Sequence, residues 1–119
     1  MQVSTETVKS KGSIKNILQH IAEKIRDNYH PEKIILFGSY AYGKPNENSD
    51  VDIVVIKKGL VNTPSIERSV AIRRILAEEN RFLPLTPLVY TPEEIDNRLS
   101  LGDDFIIEVL ERGKVLYAR

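Results

Sequence analysis

Residues 36 to 56 constrain this chain more than any other stretch. They read Leu-Phe-Gly-Ser-Tyr-Ala-Tyr-Gly-Lys-Pro-Asn-Glu-Asn-Ser-Asp-Val-Asp-Ile-Val-Val-Ile. An apolar run from Ile34 to Phe37 delivers the backbone to Gly38 and Ser39. Glycine lacks a Cβ, so the chain can turn sharply there and let a ligand approach its backbone. The N–H groups that follow, at the start of a helical segment, suit phosphate oxygens, and Ser39 adds a hydroxyl donor. A polar loop from Lys44 to Ser49 leads into a second strand that opens Asp50-Val51-Asp52. Strand side chains alternate faces, so Asp50 and Asp52 point the same way. Two adjacent carboxylates with nothing basic between them repel, and a hard divalent cation with oxygen ligands, Mg²⁺ above all, is the usual reason to keep them. A phosphate cradle before a paired-carboxylate strand is equipment for metal-assisted phosphoryl or nucleotidyl transfer.

The rest of the chain alternates helix and strand signals. Ser13 is a candidate N-cap, and Ile14, Ile17, Leu18, Ile21, Ala22 and Ile25 recur at helical spacing to about Asn28. Lys33 to Phe37 and Asp50 to Lys57 read as strands, the second rich in Val and Ile as a buried central strand is. Thr63-Pro64 reads as a cap with proline at the first helical position, opening a helix to about Asn80. Arg68, Arg73, Arg74 and Arg81 line this region, as a solvated face or as a patch meeting a nucleotide or acidic partner. Phe82 to Tyr90 reads as a third strand, short or at an edge because Pro84 and Pro87 cannot donate to a ladder. Thr91-Pro92-Glu93-Glu94 is a capping box before a short helix to about Leu99. Asp103 to Glu111 forms a last helix ended by Gly113, with Lys114 to Tyr117 as a short extended ending. The two histidines, His20 and His30, have no partners at ligand spacing and read as surface or packing residues.

At 119 residues the chain fits one domain, with residues 1 to 12 polar and expected to be loose. Its 17 basic and 17 acidic side chains balance. A nucleic-acid-coating or membrane-surface protein would carry a basic excess, so no direct nucleic-acid binding and no membrane association are expected. With no cysteine there is no disulfide and no thiolate metal site. No apolar run approaches the roughly 20 residues that span a bilayer, and Met1 to Lys11 is polar, so the expectation is a cytoplasmic protein. The element order implies an α/β (α+β) fold around a three-stranded mixed sheet. The first two strands are too close in sequence for a long crossover and are expected to be antiparallel.

The pattern Gly38-Ser39-Tyr40-Ala41-Tyr42-Gly43, followed by Ser49-Asp50-Val51-Asp52, resembles the signature of minimal nucleotidyltransferase domains of the DNA polymerase β superfamily. The resemblance implies a small mixed sheet with helices packed mainly on one face. It implies that Gly38, Ser39, Tyr40 and Ser49 contact the nucleotide, ATP or another NTP, and that Asp50 and Asp52 are the catalytic, Mg²⁺-binding pair. Members of such families use a third carboxylate, on the next sheet strand, to help hold the second metal and activate the attacking hydroxyl. Here the corresponding stretch is Pro84-Leu85-Thr86-Pro87-Leu88-Val89-Tyr90, and Thr86 falls at the acidic position. A threonine hydroxyl is no base near neutral pH, and general-base help is worth roughly a hundred- to ten-thousand-fold in rate. Glu93 or Glu94 lies past the strand and reads as a cap.

The resemblance implies transfer of a nucleoside monophosphate, AMP first, to an acceptor hydroxyl. The chain leaves no room for an acceptor-binding domain, so the acceptor is expected from a dimer mate or partner protein. Stand-alone domains of this kind are often antitoxins paired with a helical HEPN ribonuclease toxin. The alternative expectation, drawn from Thr86, is a catalytically weak or inactive module that neutralises its partner by binding. A third, a small antibiotic-modifying transferase, fits less well, because such enzymes usually carry an extra domain for the drug.

Overall fold

The computed structural model describes residues 11–46 and 48–119. Helix α1 spans Lys11–Tyr29 and leads through Pro31 into strand β1, Lys33–Phe37. The short α2, Ser39–Tyr42, follows at once, and after the polar loop comes β2, Val51–Ile56. Helices α3, Ser65–Ile75, and α4, Ala77–Asn80, connect to β3, Leu85–Tyr90. Helices α5, Pro92–Ser100, and α6, Asp104–Arg112, precede the last strand β4, Lys114–Ala118.

The four strands form one mixed sheet in the order β3-β2-β1-β4. Strands β1 and β2 are antiparallel, as their short connection requires, and β3 runs parallel to β2 after the α3–α4 crossover. β3 lies at the sheet edge, where Pro87 removes no needed donor. The C-terminal ending is a full strand rather than a loose extension. β4 pairs antiparallel with β1 across a register irregularity at Ile34/Ile35 and makes the expected three-stranded sheet four-stranded.

Two apolar layers sandwich the sheet. On one face Ile34, Leu36, Val51, Ile53 and Val55 pack against Leu18, Ile21 and Ile25 of α1 and Ile72 and Leu76 of the α3 side. On the other, Ile35, Val54 and Ile56 meet Ile95 of α5 and Ile106 and Val109 of α6. The two longest helices thus share one face, and the shorter α5 and α6 close the other. Fully burying each such aliphatic side chain contributes about 1.5–3 kcal/mol.

Several local expectations change. Ser13 lies inside α1 rather than at its cap, and Lys11 and Gly12 are already helical; residues 1 to 10 are outside the described part. Thr63 is not the cap of α3: Pro64 holds that position with no side-chain cap bond. The helix expected to reach Asn80 breaks at Leu76, which is buried with φ −103° and ψ 24°. The break re-aims Glu79 into the interface with α1, where His20 Nε2 lies 2.7 Å and Lys24 Nζ 3.1 Å from its carboxylate. Burial pushes that carboxyl's pKa up, but hydrogen bonds from its own backbone, His20 and Lys24 outweigh it and hold it below the usual range. His20 is therefore a tether between helices. Gly113 ends α6 in an extended conformation; a Cβ there would collide with Val109 O and Ile35 Cγ2, so the glycine allows close packing on β1.

Candidate active site

The cradle is built at the end of β1. Gly38 has φ 73° and ψ −159°, a left-handed region that favours glycine. The Ala41 and Tyr42 amides return to the Gly38 carbonyl at 3.0 and 3.1 Å and close a tight turn. The first amides of α2, on Ser39 and Tyr40, stay outside that closure, as the first donors of any helical turn do. A Cβ on Gly38 would overlap Asp52 Oδ2, with Asp52 Cγ only 3.1 Å away. The turn and the carboxylate are therefore packed directly together, and glycine is required twice over, for its φ and for the missing atom.

Register assembles the rest. Phe37 of β1, Asp52 of β2 and Thr86 of β3 are opposed across three adjacent strands, which places them in one row on one face. Asp50 immediately precedes β2 on the same side as Asp52. Thr86 Oγ1 donates to Asp50 Oδ2 at 3.3 Å. Burial, and then the negative charge of Asp50, push the Asp52 carboxyl's pKa above its ordinary value. Among the described residues neither carboxylate has an ion-pair partner. The hard oxygen donors of this anionic pair suit a divalent ion such as Mg²⁺. Among the described residues no cluster of three or more His, Cys, Asp or Glu side chains could hold a metal.

The remaining sequence candidates are placed as follows. Tyr40 is 7% exposed, packed in the α1-side core, and its hydroxyl has no hydrogen-bond partner among the described residues. Burial, and then the negative charge of Asp50, push its phenol pKa up. Ser49 accepts the Asn46 N–H at 2.9 Å and returns its own N–H to Asn46 O at 3.1 Å, so it clamps the loop that enters β2. Tyr42 packs on the core edge with the Arg112 guanidinium 4.4 Å above its ring. Sequence reasoning missed this cation beside the cradle, because nothing local links α6 to α2.

Glu94 is not brought to the carboxylates. It completes the capping box of α5, accepting the Thr91 N–H at 2.7 Å while Thr91 Oγ1 accepts the Glu94 N–H at 3.1 Å. Its carboxylate also takes Arg68 Nη1 at 2.6 Å. That lies past the far end of β3, about 13 Å along the strand from Thr86 at roughly 3.3 Å per residue. Arg68 is neither on a solvated face nor in a nucleotide patch. It is 3% exposed and donates also to the carbonyls of Thr63, Leu60 and Val89. Its position four residues before Ile72 on the buried stripe of α3 was the available signal. Arg73 donates to Leu85 O at 3.1 Å and steadies the start of β3.

Among the described residues no helix is long and apolar enough to cross a membrane. The family model described as a nucleotidyltransferase domain matches residues 18–116. A relative in Methanocaldococcus jannaschii is named a protein adenylyltransferase, an activity its own name leaves provisional. It is 32% identical over 110 residues, spanning 89% of this chain and 73% of that protein. Among solved structures, a protein of Sulfolobus solfataricus, described with similar reserve as a nucleotidyltransferase, superposes with a TM-score of 0.56 at 22% identity. That match covers 93% of this chain and 91% of the other. A mutant of the MntA–HpeT toxin–antitoxin superposes with a TM-score of 0.59 at 21% identity, over 86% of this chain and 73% of that one. At these identities the two structures speak for the fold, while the family match covers the cradle, both carboxylates and Thr86: the chain belongs to the nucleotidyltransferase domain family.

Proposed function

We propose that this protein transfers a nucleoside monophosphate, AMP first, from an NTP to a hydroxyl on a partner protein. The observation that carries the reading is the Gly38 turn packed against Asp52, with Asp50 and Asp52 on one side of β2 and, among the described residues, no basic side chain paired with either. The adenylyltransferase name of the M. jannaschii relative supports AMP, and the toxin–antitoxin neighbour supports a protein acceptor, a HEPN-type toxin in our reading.

In this reading the acceptor oxygen attacks the α-phosphorus, a new P–O bond forms, and the bond to pyrophosphate breaks. Gly38 and Ser39 hold the β- and γ-phosphates; Tyr40 and Ser49 shape the turn and loop on either side of the nucleotide. Asp50 and Asp52 would hold Mg²⁺, which stabilises charge on the α-phosphate and the leaving pyrophosphate. Thr86, in register with Asp52, supplies a neutral hydroxyl where a base would stand, so the attacking group's proton goes to solvent and turnover is slow.

One observation favours a second reading. The Thr86 hydroxyl donates to Asp50, so the third position holds the pair in place without adding negative charge. That suits a module that binds its partner and, with or without nucleotide, blocks it.

The test is label transfer from α-phosphate-labelled ATP with Mg²⁺ to the product of the neighbouring gene. Wild type runs beside Asp50→Ala/Asp52→Ala and Thr86→Asp. Label in wild type and none in the double variant establishes transfer, and a stronger signal in Thr86→Asp assigns the slow step to the missing carboxylate. No label in any lane, with stable partner binding, sinks the transferase reading in favour of the binding module.

A further inference from the structure

Helix α3 buries Arg68, Ile72 and, at its end, Leu76 against the sheet and leaves its opposite side open. That open side is not uniformly polar. Thr63, Ile66, Glu67, Val70, Ala71 and Arg74 line a shallow depression of about 450 Å³. They recur at i, i+3, i+4, i+7, i+8 and i+11, which sets them on one stripe of the helical surface, the spacing of a helix seam. Ile66 is 73% exposed and Val70 37%. Glu67 and Arg74 bracket the apolar centre, and among the described residues neither has an ion-pair partner.

We propose that this face is the contact between two copies of the chain, with α3 packing antiparallel on α3 of the second copy about a two-fold axis between Val70 and Ala71. The charge pattern selects that occupant and that direction. Positions 67 and 74 are equidistant from such an axis, so each Glu67 opposes Arg74 of the second copy, once at either end of the seam. A parallel pairing would set Glu67 against Glu67 and Arg74 against Arg74. Over seven residues the two charges stand about 10.5 Å apart along the helix, far enough to leave Val70 and Ala71 as an apolar centre between the ion pairs, with Ile66 just outside them. Ala71, small and half-buried, lets the helices approach to the 8–10 Å usual for packed pairs. The seam lies on the sheet face opposite Asp52, so pairing leaves both carboxylate sites open to nucleotide and acceptor.

Sedimentation equilibrium of the full chain tests this, with circular dichroism confirming that each variant is folded. Wild type should approach twice the 13.6 kDa chain mass as concentration rises. Glu67→Arg and Arg74→Glu each place two like-charge contacts in the seam and should weaken association at least about tenfold. The double variant Glu67→Arg/Arg74→Glu restores opposite charges and should recover wild-type association. A wild type monomeric up to its solubility limit would overturn the proposal and leave the face to a different protein. So would a dimer indifferent to both single swaps, or a double swap that fails to restore it.

Discussion

Two charged clusters stand at opposite ends of the parallel pair β2 and β3, and they are built on opposite rules. At the strand ends, Arg68 is buried and every contact is answered: three carbonyls, the Glu94 carboxylate and, through Glu94, the Thr91 cap. At the strand starts, Asp50 and Asp52 crowd two like charges beside a glycine turn, answered among the described residues by the Thr86 hydroxyl on Asp50 alone. The first arrangement lowers the free energy of the fold. The second raises it, and in the proposed reading the pair is organised for something that arrives later, a cation with its nucleotide. The contrast separates structural charge from functional charge by whether partners are already present.

The sharpest way to break the comparison is at its satisfied end. Arg68→Ala strands the buried carbonyl of Val89 and the half-buried ones of Leu60 and Thr63 and removes the partner of Glu94, which should cost about 3 kcal/mol. In a domain of this size that lowers Tm by ten degrees or more, at about 4 °C per kcal/mol. A thermal melt within two degrees of wild type would mean that the network contributes little. Next is the turn. Gly38→Ala meets both a left-handed φ and the Asp52 carboxylate, and should cost about 2 kcal/mol while displacing the carboxylate. Its melt and its ATP binding should fall together.

The smallest effect is the most diagnostic, because the two clusters should respond to acid with opposite signs. Hydrogen bonding from Arg68 foremost holds the Glu94 carboxyl below its ordinary value. Its stabilisation is present above the unfolded value and is lost as pH falls through the folded one. Burial first, then Asp50, hold the Asp52 carboxyl above its ordinary value. Protonation there relieves a cost, so that contribution favours the fold in acid and is lost as pH rises through the raised value. Glu94→Gln should therefore flatten part of the acid loss of stability. Asp52→Asn should raise stability at neutral pH by about 0.5 kcal/mol, the repulsion of two charges about 7 Å apart in a water-like medium. Melts of both variants between pH 3 and 7 check the signs; an Asp52→Asn variant less stable than wild type at pH 7 would contradict the account.

What was legible in the sequence was local. The Gly38 turn, the Asp50-Val51-Asp52 strand and the Thr91 capping box each sit within a few residues, and the structure builds the turn, strand and cap there. The two prolines of the third strand announced an edge, and β3 is one. Thr86 was placed through the family resemblance, and the parallel register of β2 and β3 sets it opposite Asp52. What was not legible depends on distant partners. β4 is half-exposed at the edge beside β1, so its residues show no clean buried alternation. His20 meets Glu79 across helices far apart in sequence, and Arg68 became buried because the loop before α3 and strand β3 offer carbonyls. Charge balance and periodicity carry no information about such meetings.

The central claim is that the unanswered carboxylates wait for a divalent cation and a nucleotide. Calorimetric titration of ATP into wild type and into Asp50→Asn/Asp52→Asn, each with Mg²⁺ and with a chelator, tests it most directly. The account predicts binding by wild type only when Mg²⁺ is present and none by the double variant, whose melt should confirm an intact fold. Equal ATP binding by both proteins, or binding by wild type that the chelator leaves unchanged, would contradict it.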